Sequence, residues 1–463
     1  MVKRLRTLWI HAGLWLVLAG LPLCAAPAGQ AQGSAAFPTE QSRAGKERTH
    51  PEQLPEKPTL PPVFTIPVDP LGFSAPGAIY LGQRNSLASL DFLDENRLLF
   101  TFRVPGLMRR EAGDSAWGDE RQIRAVVLAL PAGTVESEAL WTVHDRSRYL
   151  WALKDGHFLL RDRDSLEQGD ATLELKPFLR FPGPLLGLEM DPTQQFLVTN
   201  SREPAAHPSD QNPSPGTPGA AEQKPGQVGS PATAAVDMVV DERKSGGQPD
   251  LVVRILRRDS GEVMLVSRVR STVHLPINSE GYLESLRGNG EQWLLNLNYF
   301  SGGSAVLGRV NSACSPGFDF VSQRELLVTA CASSGGRKLV AMATDGRRLW
   351  EDQGSPAAIW PLVVMAPDGS RLAQETLAVT HAVNAYSPLE SEDVKGQRVR
   401  VFDAANGKVA LEAPATPALD AGGNVAISPS GRRVALLNAG AIQVFELPAP
   451  APMEDAASEH AAH

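Results

Sequence analysis

Cysteine, histidine and aromatic residues are scarce in this 463-residue chain: three Cys, nine His and 6% Phe, Trp and Tyr. Three cysteines are too few for a disulfide scaffold, so the fold has to rest on an apolar core. At this length, 42% hydrophobic residues suffice to build one. Charge is limited too, at 21% of residues and a formal net of −8. No basic stretch is present that could neutralise many phosphates, which argues against nucleic acid as a partner. Glycine (41) and proline (37) are plentiful, and that argues against long helices or a coiled coil.

Lys3, Arg4 and Arg6 precede the apolar run Leu8–Ala26, followed by small residues around Ala26-Pro27-Ala28 and Gly29-Gln30-Ala31. Basic, then apolar, then small is the pattern of a secretory signal, expected over 1–31 and removed on export. Retained, the same run is long enough to anchor the chain in a bilayer. Cys24 resembles the lipidation site of a bacterial lipoprotein, although Leu23 is larger than the residue that pattern places before the Cys. The expected location is therefore periplasmic or extracellular, with no membrane span after cleavage. There the two remaining cysteines, Cys314 and Cys331, are candidates for one disulfide.

Residues 32–70 are polar and Pro-rich, and read as a disordered spacer. Residues 203–248, rich in Pro, Gly, Ser and Ala, cannot bury enough apolar area to offset ordering and read as a disordered insertion. Residues 449–463 read as a frayed tail.

Across 71–448 one pattern recurs: a short apolar or alternating run, a polar turn, a second run. It reads LDFLDENRLLFTF at 90–102, YLWALKDGHFLLR at 149–161, LGLEMDPTQQFLV at 186–198 and YLESLRGNGEQWLLN at 282–296. It returns as FDFVSQRELLV at 318–328, LVVMAPDGSRLAQ at 362–374 and NVAISPSGRRVAL at 424–436. Such runs, bounded by turn dipeptides, are antiparallel hairpins. A second hairpin often follows, as in RVRVFDAANGKVAL at 398–411. Two hairpins per unit, repeated, predict an all-β chain: a β-propeller of about seven four-stranded antiparallel blades, the uneven spacing of the turns leaving six or eight open. The last hairpin is followed by a single strand at 441–447, so an N-terminal strand should complete that blade. Ala78-Ile-Tyr-Leu81 is the candidate.

The turns Ala366-Pro-Asp-Gly-Ser-Arg-Leu372 and Ser428-Pro-Ser-Gly-Arg-Arg-Val434 resemble those of bacterial WD40-like and YVTN-type propellers. Thr344-Asp-Gly-Arg-Arg-Leu-Trp350 and Asp403-Ala-Ala-Asn-Gly-Lys-Val409 resemble repeats of quinoprotein-like propellers. The resemblance implies a fold shared by scaffolds, binding modules and enzymes, and does not choose among them. The quinone cofactor of the last group is not expected, because no vicinal Cys pair and no full set of Trp-docking repeats is present. Trp293 and Trp350 are read as packing between blades.

Catalytic motifs are missing. There is no His-Glu-x-x-His pair, Gly302-Gly303-Ser304-Ala305 lacks the closing Gly of a nucleophile elbow, and Gly288-Asn289-Gly290 is a hairpin turn. His144, His157, His274 and His381 fall on four different units, where they are read as structural unless they converge on a central channel. The acid clusters Asp91/Asp94/Glu95 and Asp162/Asp164 are read as solvated carboxylates at turns and strand ends. No catalytic or metal site is therefore expected, and no cofactor, with any cofactor-binding residues left open. The function expected is an exported binding or interaction module for a protein or peptide in the cell envelope. The alternative is a lactonase-like or metal-assisted hydrolase whose site is gathered from several blades.

The two cysteines admit a register argument. If Phe320 stands opposite Glu325 in the hairpin at 318–328, then Cys314 stands opposite Cys331, close enough to bridge. The alternative is two buried free thiols.

Overall fold

A computed structural model describes residues 54–75, 86–105, 120–145, 147–203, 250–271, 273–333, 335–381 and 391–451. The expected signal at 1–31 and the candidate closing strand Ala78–Leu81 lie outside them. Among the described residues the strands form seven antiparallel sheets, arranged as the blades of a β-propeller.

Blade 1 runs Ala88–Asp94, Arg97–Arg103, Arg121–Ala129 and Thr134–Val143; blade 2 runs Leu150–Ala152, Phe158–Asp162, Ser165–Gly169 and Lys176–Arg180. Blade 3 comprises Leu185–Met190, Phe196–Glu203, Asp250–Arg257 and Val263–Val269. Blade 5 comprises Gly317–Phe320, Glu325–Cys331, Arg337–Ala343 and Arg348–Gln353. In blade 6 the first strand is split into Ala358–Ile359 and Val363–Met365, both pairing with Arg371–Val379, after which come Val394–Asp403 and Val409–Ala415. Blade 7 comprises Val425–Ile427, Arg433–Asn438 and Ala441–Glu446, and its fourth strand is Phe64–Pro67.

Ring closure therefore comes from the N-terminal side, but through an earlier segment than Ala78–Leu81. Phe64 pairs with Val444 and Ile66 with Ile442, inside the stretch 32–70 expected to be a spacer. Pro67 tolerates this position because an outermost strand has one side free of ladder hydrogen bonds. Upstream, Thr59 N–H donates to the Glu412 carbonyl at 2.8 Å, so the chain follows the rim of blade 6 before joining blade 7. At the other end, Arg371 donates to the Pro448 carbonyl at 2.7 Å and the Ala451 N–H to Asp403 at 2.8 Å, which ties down the start of the expected tail.

Blade 4 corrects the strand phase read from the sequence. Its regular strands are Gly281–Arg287, Gln292–Tyr299 and Ser304–Asn311, so the hairpin at 282–296 joins the second and third strands rather than the first and second. The first-strand position belongs to 273–278. Ile277 bridges Tyr282, Leu283 N–H donates to Pro276 O at 2.8 Å, and Asn278 N–H to Gly281 O at 3.0 Å. Pro276 has no N–H to give, and the Asn200 side chain of blade 3 holds this irregular strand by pairing with both backbone groups of Val273 at 2.9 and 3.0 Å.

The core is a series of layers between blades. Leu99, Val127 and Trp141 of blade 1 pack on Tyr149, Phe158 and Leu160 of blade 2. Trp350 of blade 5 stacks on Phe402 of blade 6 with centroids 5.9 Å apart, and its indole N–H donates to Ala404 O at 2.6 Å. Each such buried side chain contributes roughly 1.5–3 kcal/mol. The first turn of each blade also reaches its neighbour. Glu95 accepts the Ser430 N–H at 2.7 Å, Gln194 the Lys154 N–H at 2.7 Å, and Gln323 the Ser279 N–H at 2.7 Å. At Gly369 a Cβ would lie 2.7 Å from the Val321 carbonyl of the next blade, and φ is +78°, so this turn needs glycine on two counts.

Cys314 and Cys331 form the expected disulfide, with Cα atoms 5.5 Å apart. The expected register does not hold: Phe320 pairs with Leu326, one residue on from Glu325, and the strand starts only at Gly317. Cys314 lies in the connection leaving Asn311 of blade 4. The bridge thus staples the rim of blade 4 to the end of a blade 5 strand, beside a 2.9 Å bond from Cys331 N–H to the Ser312 hydroxyl.

Candidate functional site

The first strands of all seven blades surround an axial cavity of about 270 Å³. Their hairpin registers place seven residues at one equivalent position. Asp91 faces Leu99, Trp151 faces Leu159, Glu189 faces Val198, Asp319 faces Leu327, Val364 faces Ala373 and Ala426 faces Ala435. Pro276, next to the Ile277 bridge, is the blade 4 member. Blades 1, 3 and 5 therefore each aim a carboxylate-bearing residue at one level of the cavity, while blades 6 and 7 present Val364 and Ala426. Arg148 and Lys154 of blade 2, Asp191 of blade 3 and His274 of blade 4 complete the charged lining.

His274 is the member best defined by its contacts. Its Nδ1 lies 2.8 Å from Glu189 Oε1, and its Nε2 hydrogen-bonds the Phe318 carbonyl and lies 3.5 Å from Asp319 Oδ1. A carbonyl only accepts, so Nε2 donates; Nδ1 faces a carboxylate and donates as well. The ring is thus held as imidazolium. Burial opposes that charge, but the Glu189 hydrogen bond and charge, with Asp319 and the Phe318 carbonyl, outweigh it and push the pKa up to about 9.

Burial pushes Asp319 up to about 6, against the pull of the His274 charge and with some help from Glu189. Burial likewise pushes Asp91 up to about 6, opposed by Arg148 and by a 2.6 Å hydrogen bond from the Ser89 hydroxyl. Arg148 is held below its ordinary value by burial, partly offset by Asp91. Its Nε donates to Leu150 O at 3.0 Å and its guanidinium lies 5.3 Å from the Trp151 ring centroid.

The other histidines stay apart from the cavity. His144 meets Asp162 at 3.0 Å, His157 meets Asp155 at 3.2 Å, and His381 meets Asp393 at 3.5 Å. Among the described residues no three His, Cys, Asp or Glu side chains are grouped to hold a metal ion. The acid clusters divide. Asp94 closes its turn on Arg97 at 2.6 Å and Glu95 ties blade 1 to blade 7, whereas Asp91 sits within a strand facing the axis, not in a solvated turn. Asp162 and Asp164 are likewise engaged, by His144 and by Arg180 at 3.2 Å. Asp91, Arg148, Glu189 and Asp319 were not singled out from the sequence as site residues. The usable signal was the alignment of repeats, in which LDFLD, GLEMD and FDFVS carry an acid at the same hairpin position.

The fold and its axial cavity define the class: a seven-bladed β-propeller. The sequence matches no protein-family model and no curated protein. Among solved structures, the chain is similar to Pyrococcus horikoshii acylaminoacyl peptidase at 9% identity and a TM-score of 0.42, covering 81% of this chain and 54% of that one. It spans about half the length of that peptidase. An oligogalacturonate lyase in complex with manganese is similar at 12% identity and a TM-score of 0.39, over 78% of this chain and 97% of that one. A chain of the mitotic checkpoint complex is similar at 8% identity and a TM-score of 0.39, over 92% and 99% respectively. At these identities and scores the likenesses carry no functional argument, and the site has to be read from its own residues.

Proposed function

We propose that the protein is an exported binding module that takes a ligand or a partner's segment into the axial cavity. The observation that carries this reading is the commitment of His274. Both ring nitrogens donate to fixed protein acceptors, so the imidazole has no lone pair with which to take a proton from a substrate. The carboxylates come from alternate blades and stand beside cations, an arrangement suited to recognising polar groups. The Cys314–Cys331 bridge fits an oxidising compartment and supports export. The hydrolase reading keeps one point in its favour, the raised Asp91 and Asp319, whose values near 6 suit proton transfer.

Purification from the cell envelope followed by native mass spectrometry separates the two. The wild-type protein should retain a ligand or partner that Val364→Trp, which fills the cavity from blade 6, loses while keeping the same thermal transition. Equal retention by both, or turnover of lactone and ester substrates by the wild type that Asp91→Asn and Asp319→Asn abolish, would overturn the binding reading.

A further inference from the structure

Charges in the axial cavity are matched unequally. Glu189 and His274 satisfy one another, and Asp191 turns back on its own hairpin to accept from the Thr193 N–H at 2.9 Å, the Thr193 hydroxyl and the Phe196 N–H at 2.8 Å. Asp91 has the Ser89 hydroxyl. Besides the exposed Lys154 ammonium, two groups are left over among the described residues. The terminal nitrogens of Arg148 have no carboxylate within ion-pair distance, and Asp91 acts on them only through space. The Asp319 carboxylate meets only His274 Nε2, at 3.5 Å, and that N–H is already given to Phe318.

These two groups have opposite sign and belong to blades 2 and 5 of a seven-membered ring, so they face each other across the axis. On the side of blades 6 and 7 the lining is aliphatic (Val363, Val364, Met365, Pro367, Ala426 and Ile427), and blade 1, between blades 7 and 2, adds Asp91 near Arg148. Counted together, the lining holds three cations (Arg148, Lys154 and His274) and four carboxylates (Asp91, Glu189, Asp191 and Asp319), so both signs are present on its wall. A ligand of one sign could engage only one of the two unengaged groups, Arg148 or Asp319, whereas one that carries both signs would engage both. At about 270 Å³ the cavity also lies at the small end for ligand sites, too small for a folded segment.

From this arrangement, and resting on the binding reading above, we propose that the cavity takes a small zwitterion with an aliphatic middle, of which an unblocked dipeptide is the simplest example. Its carboxylate pairs with the Arg148 guanidinium, whose planar fork suits two parallel hydrogen bonds. Its ammonium sits on Asp319, and its side chains lie on blades 6 and 7.

Calorimetry on the full chain with Leu-Ala, N-acetyl-Leu-Ala and Leu-Ala-amide tests the assignment. Leu-Ala should bind, and each blocking group should weaken binding at least tenfold. In Arg148→Gln the amide should bind as well as the free acid, while the acetyl penalty persists. In Asp319→Asn the pattern should invert. A variant that merely damages the fold weakens all three peptides together, so only the crossed pattern supports the proposal. Absence of binding by the wild type at millimolar peptide, or blocking groups without effect, would overturn it. In that event, retention lost in Val364→Trp still decides the binding reading separately.

Discussion

Gln397 donates a 2.9 Å hydrogen bond from Nε2 to Glu375 Oε2, inside blade 6 where both residues are buried. The other Glu375 oxygen accepts the N–H groups of Gly423 and Asn424 at 3.0 and 3.1 Å, and Gln397 Oε1 accepts the Leu419 N–H at 2.8 Å. One buried carboxylate and one amide thus fix the chain as it enters the first strand of blade 7. Glu375→Ala should lower stability by about 3 kcal/mol, because two buried N–H groups lose their acceptor. Urea denaturation measures it, and a loss under about 1 kcal/mol would show that the junction is held by packing instead.

Burial pushes Glu375 up to about 7, despite the hydrogen bonds that favour its charged form. The native state therefore keeps a proton that the unfolded chain releases near the ordinary value of 4.5. That contribution to stability is fully present below about pH 4.5 and is lost as pH rises through about 7. Asp91 and Asp319 act in the same direction up to about pH 6. Denaturation midpoints of the wild type should fall between pH 5 and 7, and in Glu375→Gln the part of that fall above pH 6 should shrink. An unchanged slope would mean that Glu375 titrates near its ordinary value.

His274 carries the corresponding prediction on the alkaline side. Its raised value means that the stability it lends is complete below about pH 6.5 and disappears as pH rises through about 9. The ring resonances of His274 in an NMR titration should move with a midpoint near 9, and Glu189→Gln should bring that midpoint down. A midpoint at or below 6.5 in the wild type would contradict the imidazolium assignment.

The repeat, the number of blades and closure from the N-terminal side were legible because hairpins are local. Each needs only alternation and a turn, and six of the seven hairpins read from the sequence join a first strand to a second. The seventh, at 282–296, joins the second strand of blade 4 to the third. The real first strand of blade 4 carries His274 and Pro276 and is held by Asn200, a residue of another blade, so no local pattern announces it. The closing strand was misplaced for a similar reason. Phe64-Thr-Ile-Pro67 has its partner almost four hundred residues away and stands beside prolines that signal a spacer. The carboxylates of the cavity were visible as residues but not as a group. Whether an acid near a turn faces water or the axis depends on which of seven strands is innermost, and only the assembled ring decides that.

The disulfide joins two blades, so its loss should loosen their junction rather than unfold a hairpin. It closes a loop of 17 residues in sequence separation, for which chain entropy gives at most about 3 kcal/mol. The retained hydrogen bonds of Cys331 with the Ser312 hydroxyl and the Ala313 N–H already restrain that loop, and should reduce the effect to about 2 kcal/mol. Cys314→Ser with Cys331→Ser should lower the thermal midpoint by a few degrees and raise hydrogen exchange first at 311–317 and 329–337. Protection lost evenly over all seven blades would argue that the bridge acts globally.

Residues 204–249, expected from the sequence to be an insertion, leave blade 3 between Glu203 and Asp250, which are directly paired across the second and third strands. Excising 204–249 and inserting a short Gly-Ser turn therefore joins two chain ends that already lie side by side. Each halving of a flexible loop changes its closure cost by only about 0.6 kcal/mol, so the shortened protein should be as stable as the parent or slightly more so. The root itself is the sensitive part. Arg254 holds both Glu203 oxygens, one of them at 2.9 Å, and donates to the Ser201 hydroxyl at 3.0 Å, with both charges buried. Glu203→Ala strands the Arg254 charge and should cost about 3–5 kcal/mol, while Glu203→Leu with Arg254→Met removes both charges and should cost far less. Thermal unfolding of the three proteins checks the pattern. A deletion as damaging as Glu203→Ala would mean that 204–249 contribute to the blade and are not a loop carried on it.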